Sequence, residues 1–445
     1  MGWRIGIIAP FIFLLGAQPG WTQIAGEQET RRDGLHLYGV TAYTGYTSLG
    51  LPNYNYNYLL GTVPAGSDMQ FGGAISVGLG RFRPGSSFSL VYDSSYDGLA
   101  RHSEWNALNH ALMLSAGRRF GRRWDLHFSA VGTASSMYQY LFAPSTLSTV
   151  AAVPASFDDL ASAVLAGRFT NEQLASALTG APVMESPDRT ALYGERVLNV
   201  SSAITASYSR SDRFTVRFSG SAWRSQYLNV GNESTTGIQA ALQRTTDGNA
   251  DVGFSYAITP RTDFGIDAGA NRSISVFQDT YTGTVLASIG RKIGRRWLLT
   301  GRAGPAWLHP VRQAYQVSRG TQVAGGGSFG YKTYSQSILA TVDRSAADMY
   351  GTMAGYTLST GGAWLWHHPG SQWSLSSSVR QQRMRGTIYE DLDGWMVSAS
   401  IYRELGLQTG VQITYTYLND SGTFLGATSA IAVHSVRVAF LWKGR

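Results

Sequence analysis

Four arginines, Arg217, Arg302, Arg380 and Arg437, occupy polar positions of segments in which apolar and polar residues alternate, and so do Asp93, Asp125, Asp251 and Asp267. Guanidinium and carboxylate groups spaced in this way can pair across strands and stiffen a sheet. They can also line a passage and select among ions and small solutes. Both readings stay open at this level. Other chemistry finds little support. Of the eight His residues, His367 and His368 are adjacent, but no second cluster at metal-ligand spacing accompanies them. His110, His127 and His434 fall singly within alternating segments. GGSFG, residues 326–330, fits the letters of G-x-S-x-G, yet that motif needs a strand before Ser328 and a helix after it. Asp158 and Asp159 sit where the first turn of a helix favours carboxylates. No catalytic, cofactor-binding or metal-binding residue is assigned, and the chain does not read as an enzyme.

The elements that would position these side chains are strands. In FTVRFSGSAW, Phe214, Val216 and Phe218 oppose Thr215, Arg217 and Ser219, and WSLSSSVRQQ and LQTGVQITYTY alternate in the same way. Only 14% of the residues are charged, against about a quarter in ordinary soluble domains. The polar faces carry Ser, Thr, Gly, Gln and Asn more than Lys and Glu. A strand that is apolar on one face and uncharged-polar on the other suits a transmembrane barrel, with lipid outside and a lumen inside.

Seven short connections stand out, at 80–86, 117–124, 208–214, 256–264, 290–297, 366–373 and 402–408. With an opening strand near 34–46 and a closing strand near 429–442, they predict sixteen strands and both termini at one rim. Two of these connections, GRRFGRRW and GRKIGRRW, echo one another because both need the same turn chemistry, with Gly for the bend and Trp124 or Trp297 at the headgroup level. Trp373 and Trp442 belong to the same set of interface aromatics. The seven windows hold fourteen Lys and Arg against three acids, so the rest of the chain is net −3 beneath an overall +8. The basic character therefore reports a turn rim and gives no support for nucleic-acid binding.

Residues 143–195 interrupt the alternation. Ser156 with Asp159, and Thr170 with Gln173, resemble helix starts, and Gly167 and Gly180 resemble helix ends. A small helical hairpin in the third outer loop is expected, with Leu160, Val164, Leu165, Leu174 and Leu178 as its apolar stripes and a role in gating. A second long loop is expected at about 310–352. Before the barrel, the apolar run Ile5–Ala17 after Arg4 reads as a secretory signal within residues 1–25, and residues 33–445 read as one barrel. With no Cys in the chain, no disulfide can brace it.

The signal, alternating segments, short turns and large third loop together resemble the porin-class outer-membrane β-barrels of Gram-negative bacteria. The closing SVRVAFLWKGR places Phe440 and Trp442 near the terminus but ends on Lys-Gly-Arg, not on an aromatic residue. The resemblance implies an all-β antiparallel barrel in the outer membrane, surrounded by lipid and lipopolysaccharide and inserted by the barrel-assembly machinery. It implies passive passage of small hydrophilic solutes without a cofactor. A plugged structural or export-partner barrel, for example in polysaccharide secretion, is the alternative. No residues identify a subunit interface.

Overall fold

The computed structural model describes residues 33–49, 66–101, 103, 106–136, 196–228, 244–274, 278–313, 320–349, 353–367, 370–385, 391–424 and 427–443. The expected signal segment and helical hairpin lie outside them. The described chain forms β1 (Gly34–Leu49), β2 (Gly66–Arg83), β3 (Ser86–Leu99), β4 (Ala107–Phe120), β5 (Trp124–Ser136) and β6 (Arg196–Ser211). There follow β7 (Phe214–Tyr227), β8 (Arg244–Thr259), β9 (Thr262–Ile274), β10 (Gln278–Ile293), β11 (Trp297–Gln313) and β12 (Gly320–Lys332). The last six are β13 (Gln336–Met349), β14 (Met353–His367), β15 (Trp373–Arg385), β16 (Asp391–Gly406), β17 (Thr409–Phe424) and β18 (Ala427–Lys443). Each pairs antiparallel with its sequence neighbour, and β1 pairs with β18 from Gly39↔Lys443 to Thr47↔Ser435, so the sheet closes. Closure leaves no edge, which lets a sheet survive in lipid where unpaired backbone groups are costly.

The barrel has eighteen strands, not the sixteen expected. The additional pair is β12 and β13, which occupy most of the segment expected to be a long loop. A short turn joins them, in which the Thr333 amide donates to the Gln336 carbonyl at 2.8 Å and the Gln336 amide donates to Thr333 Oγ1 at 3.0 Å. GGSFG lies inside β12, so Ser328 sits mid-strand beside the Thr300 hydroxyl and not on a strand-to-helix turn.

Alternation places apolar side chains outward all round the wall. Leu112, Phe218, Ile266 and Ile289 are exposed, Ile289 at 55%, an arrangement that is stable only against lipid. The four Trp residues expected at the interface all lie at the short-turn rim. Trp297 packs at 4.2 Å from the Tyr331 ring and 5.2 Å from Phe329, Trp124 at 5.0 Å from Tyr208, and Arg403 lies 4.9 Å over Trp373. Trp442 shares an outward row with Val40. Nearer the opposite rim, Tyr46, Phe71, Tyr281, Trp307 and Trp395 are exposed. Trp297 and Trp307 are ten residue steps apart along β11, which on a strand tilted by about 40° spans the roughly 25 Å of an apolar belt. The two echoed turns are three-residue connections opened by Gly121 (φ 62°) and Gly294 (φ 61°), left-handed positions that favour glycine.

Candidate functional site

The polar face of every strand turns into the barrel, and the four arginines lie on it. Their local arrangement repeats. Arg217 on β7 pairs with Gly253 on β8, which pairs with Asp267 on β9. Arg302 on β11 pairs with Gly326 on β12, which pairs with Asp343 on β13. Arg437 on β18 pairs with Gly45 on β1, which pairs with Gln70 on β2. Each arginine reaches across the glycine to the side chain two strands away. Arg217 Nη2 donates to Asp267 Oδ1 at 3.0 Å, Arg302 Nη2 to Asp343 Oδ1 at 2.6 Å, and Arg437 Nη2 to Gln70 Oε1 at 3.2 Å. Two strand spacings are about 9.5 Å, within an arginine's reach only if nothing stands between. A Cβ on Gly326 would lie 2.6 Å from Asp343 Oδ1, and one on Gly253 would lie 3.3 Å from Arg217 Nη2 while colliding with Asp267. Arg380 likewise faces a glycine, Gly361, with Thr341 on the strand beyond.

These bridges gather charge on one stretch of wall. Asp251 interacts electrostatically with both Arg217 and Asp267, and Asp267 also with Arg302. From β7 to β13 the inner face therefore carries Arg217, Asp251, Asp267, Arg302 and Asp343, two guanidinium groups among three carboxylates. Arg437 is elsewhere, stacked 4.2 Å over the Tyr43 ring, and Arg380 is three strands from it. Asp125 is inward but near the short-turn rim, where it meets His127 Nε2 at 3.1 Å. His110 and His434 face outward and bond Tyr92 at 2.7 Å and Tyr415 at 2.9 Å. Among the described residues no three His, Asp or Glu side chains converge on a point that could hold a metal ion.

Sequence reasoning did not find the parting of β12 and β13. Pairing between β12 and β13 stops at Gly325↔Arg344, although β12 continues along β11 to Gly320 and β13 continues along β14 to Met349. Beyond that point β13 parts from β12, while β14 stays paired with β15 as far as Tyr356↔Arg385. Tyr356 on β14 packs against inward-facing Ala306 and Ala324, with Leu286 beside them. Its hydroxyl donates to the carbonyls of Gly320 at 3.2 Å and Ala306 at 3.5 Å. Arg344 lies 5.6 Å over the Tyr356 ring and donates to Gln322, another inward side chain. Tyr356 of β14 and Arg344 of β13 thus lie against the inner wall of β11 and β12. Gly325, at φ 148°, marks the departure. The alternation in SILATVDRS could have revealed β13 and Asp343. Nothing local could have revealed the parting.

Toward the short-turn rim apolar side chains join polar ones such as buried Ser374 and Gln412 on the inner face. Leu298, Leu339 and Leu365 are buried there, as are Tyr402 and Leu441, which cluster with Tyr43 and Ala439.

The fold is similar to several solved barrels at very low identity. OccK2 (OpdF) of Pseudomonas aeruginosa, solved in complex with glucuronate, is 9% identical over 93% of this chain and 100% of that chain, with a TM-score of 0.46. OccAB2 of Acinetobacter baumannii is 10% identical over 91% and 98%, with a TM-score of 0.44. The siderophore receptor PirA of Pseudomonas aeruginosa is 8% identical over 92% and 80%, with a TM-score of 0.39. No protein-family model and no curated protein matches the chain.

Proposed function

We propose that this chain is an outer-membrane channel through which small hydrophilic solutes diffuse passively, without a cofactor. The observation that carries it is the inverted polarity of a closed barrel, with exposed apolar side chains outside and Arg217, Asp267, Arg302 and Asp343 within. Eighteen strands enclose more than side chains alone can fill. Residues 1–25 act as the export signal on this reading. The short turns face the periplasm, and lipopolysaccharide borders the other rim. Arg217, Arg302, Arg380, Arg437, Asp125 and Asp267 line the path, and the mixed charges of β7–β13 favour solutes carrying both signs of charge over purely apolar ones.

Purified protein in a planar bilayer is expected to give stable conductance steps, and their absence from well-folded protein would sink the proposal. Under a salt gradient, Arg302→Ala should shift the reversal potential toward cation preference, because Asp343 and Asp267 lose that guanidinium. A shift toward anions, or none, would remove Arg302 from the path. The expected hairpin at 156–180, with Leu160, Val164, Leu165, Leu174 and Leu178, is proposed as a second access element. Its replacement by a Gly-Ser linker should raise conductance.

The buried apolar side chains near the short-turn rim, among them Leu298, Leu365 and Leu441, favour a second reading, a plugged barrel acting as an export partner. The same bilayer measurement separates the two.

A further inference from the structure

The outer face acquires charged side chains, among exposed Ile274 and Val311, where β9, β10 and β11 approach the long-loop rim. Arg272 grips Asp279 with two bonds, Nε to Oδ1 at 3.0 Å and Nη2 to Oδ2 at 2.8 Å, and its guanidinium lies 5.0 Å over the Tyr281 ring. Arg272, Tyr281 and His309 form one row across the three strands, and Ile274, Asp279 and Arg312 form the next row toward the rim.

Arg312 reaches this face through a bulge. Even-numbered residues of β11, from Leu298 to Ala306 and Leu308, face inward, so regular alternation would turn Arg312 inward too. A register shift pairs Thr280 with Pro310 but Asp279 with Arg312, leaving Val311 over. The extra residue reverses the alternation and aims Arg312 outward beside Asp279, with which it interacts electrostatically.

Among the described side chains this patch holds two guanidinium groups and an imidazole to one carboxylate. By contrast, the outward pair on β15 and β16, Arg383 with Asp393 at 3.0 Å, has one cation to one acid. Charge on the lipid side is tolerated only near the headgroups. Directly below lie Trp307, whose ring covers Gly283, and then exposed Val285, Ile289 and Leu299. From rim to belt the strip runs cationic, aromatic and aliphatic. That order matches a phosphate carried on a polar head above several acyl chains.

We propose that this strip is a binding site for a phosphorylated glycolipid of the surrounding leaflet. Arg312 and His309 take the phosphate, Arg272 stands at its edge held by Asp279 and Tyr281, and the acyl chains lie along Trp307, Val285 and Leu299. The proposal rests on the outer-membrane reading above but not on solute passage.

The test incubates the purified full-length protein in detergent with diphosphoryl lipid A or its dephosphorylated form and measures bound lipid by native mass spectrometry. Wild type is expected to hold the diphosphoryl form about tenfold more tightly than the dephosphorylated one, and Arg312→Gln to lose about the same factor. His309→Gln, on the neighbouring row, gives a second reading should Arg312→Gln misfold. Equal binding of the two lipids by wild type, or undiminished binding by the folded variants, overturns the site. Inorganic phosphate at millimolar concentration should not displace the lipid, and displacement would overturn the glycolipid assignment in favour of free phosphate. Conductance, set inside the barrel, should stay unchanged in both variants, so the fate of this site is separable from that of the channel.

Discussion

Replacing Tyr356 with Ala is expected to open the channel, seen as a larger single-channel conductance than wild type. The side chain seats the end of β13–β14 on Ala306 and Ala324, and its hydroxyl reaches the carbonyls of Gly320 and Ala306. Truncating a buried aromatic to Ala costs about 3 kcal/mol. If that energy is available only while the hairpin is docked, its loss shifts docked against released hairpin by roughly a hundredfold. Tyr356→Phe keeps the ring and loses only the two bonds, about 1 kcal/mol, and should fall between. Because the chain has no Cys, a single Ala324→Cys provides a clean probe. It should resist aqueous thiol reagents when Tyr356 is present and label readily in Tyr356→Ala. Unchanged conductance together with unchanged labelling would show that the hairpin does not occlude the path.

The second large effect concerns the outer wall. Ile266→Arg, which sets a charge among exposed apolar neighbours near the middle of the belt, is expected to lower folding stability in lipid by about 2–4 kcal/mol. Ser288→Arg, on the adjoining strand but turned inward opposite Gly265, should cost much less, because its guanidinium meets the polar lumen. Urea titration of the refolded protein in lipid vesicles measures both. Equal losses at the two positions would contradict the assignment of faces and, with it, the membrane-spanning reading.

Much of this architecture was legible before any coordinate, and the reason is geometric. Side chains on a strand alternate strictly between two faces, so once Phe214, Val216 and Phe218 are assigned to lipid, Arg217 must face the lumen. The same logic turns Arg302, Arg380, Arg437, Asp125 and Asp267 inward and sets Trp124, Trp297, Trp373 and Trp442 on the outer face. All seven expected short connections join strands. These are local properties, carried by a period of two and by turn chemistry.

The strand number was not legible, because β12 hides its own signal. Its outward positions, Val323, Gly325, Gly327, Phe329 and Tyr331, include two glycines, and Gly326 removes an inward side chain as well. GTQVAGGGSFGYK thus reads as a loop although the wall needs its small residues there. Gly326 lets Arg302 reach Asp343, and Gly325 lets β13 depart. Which glycine stands between which arginine and which acceptor depends on register among three strands, and for Arg437 and Gln70 on closure between the two ends of the chain. No periodicity within one strand encodes that. Tyr356 carries the same lesson further: by alternation it belongs outside, and only the parting of β13 from β12 brings that face against the inner surface of β11 and β12. The sequence by itself determined which side of a strand each residue takes. Tertiary structure decided which residues meet, because meeting depends on register, closure and strand parting among segments far apart in the chain.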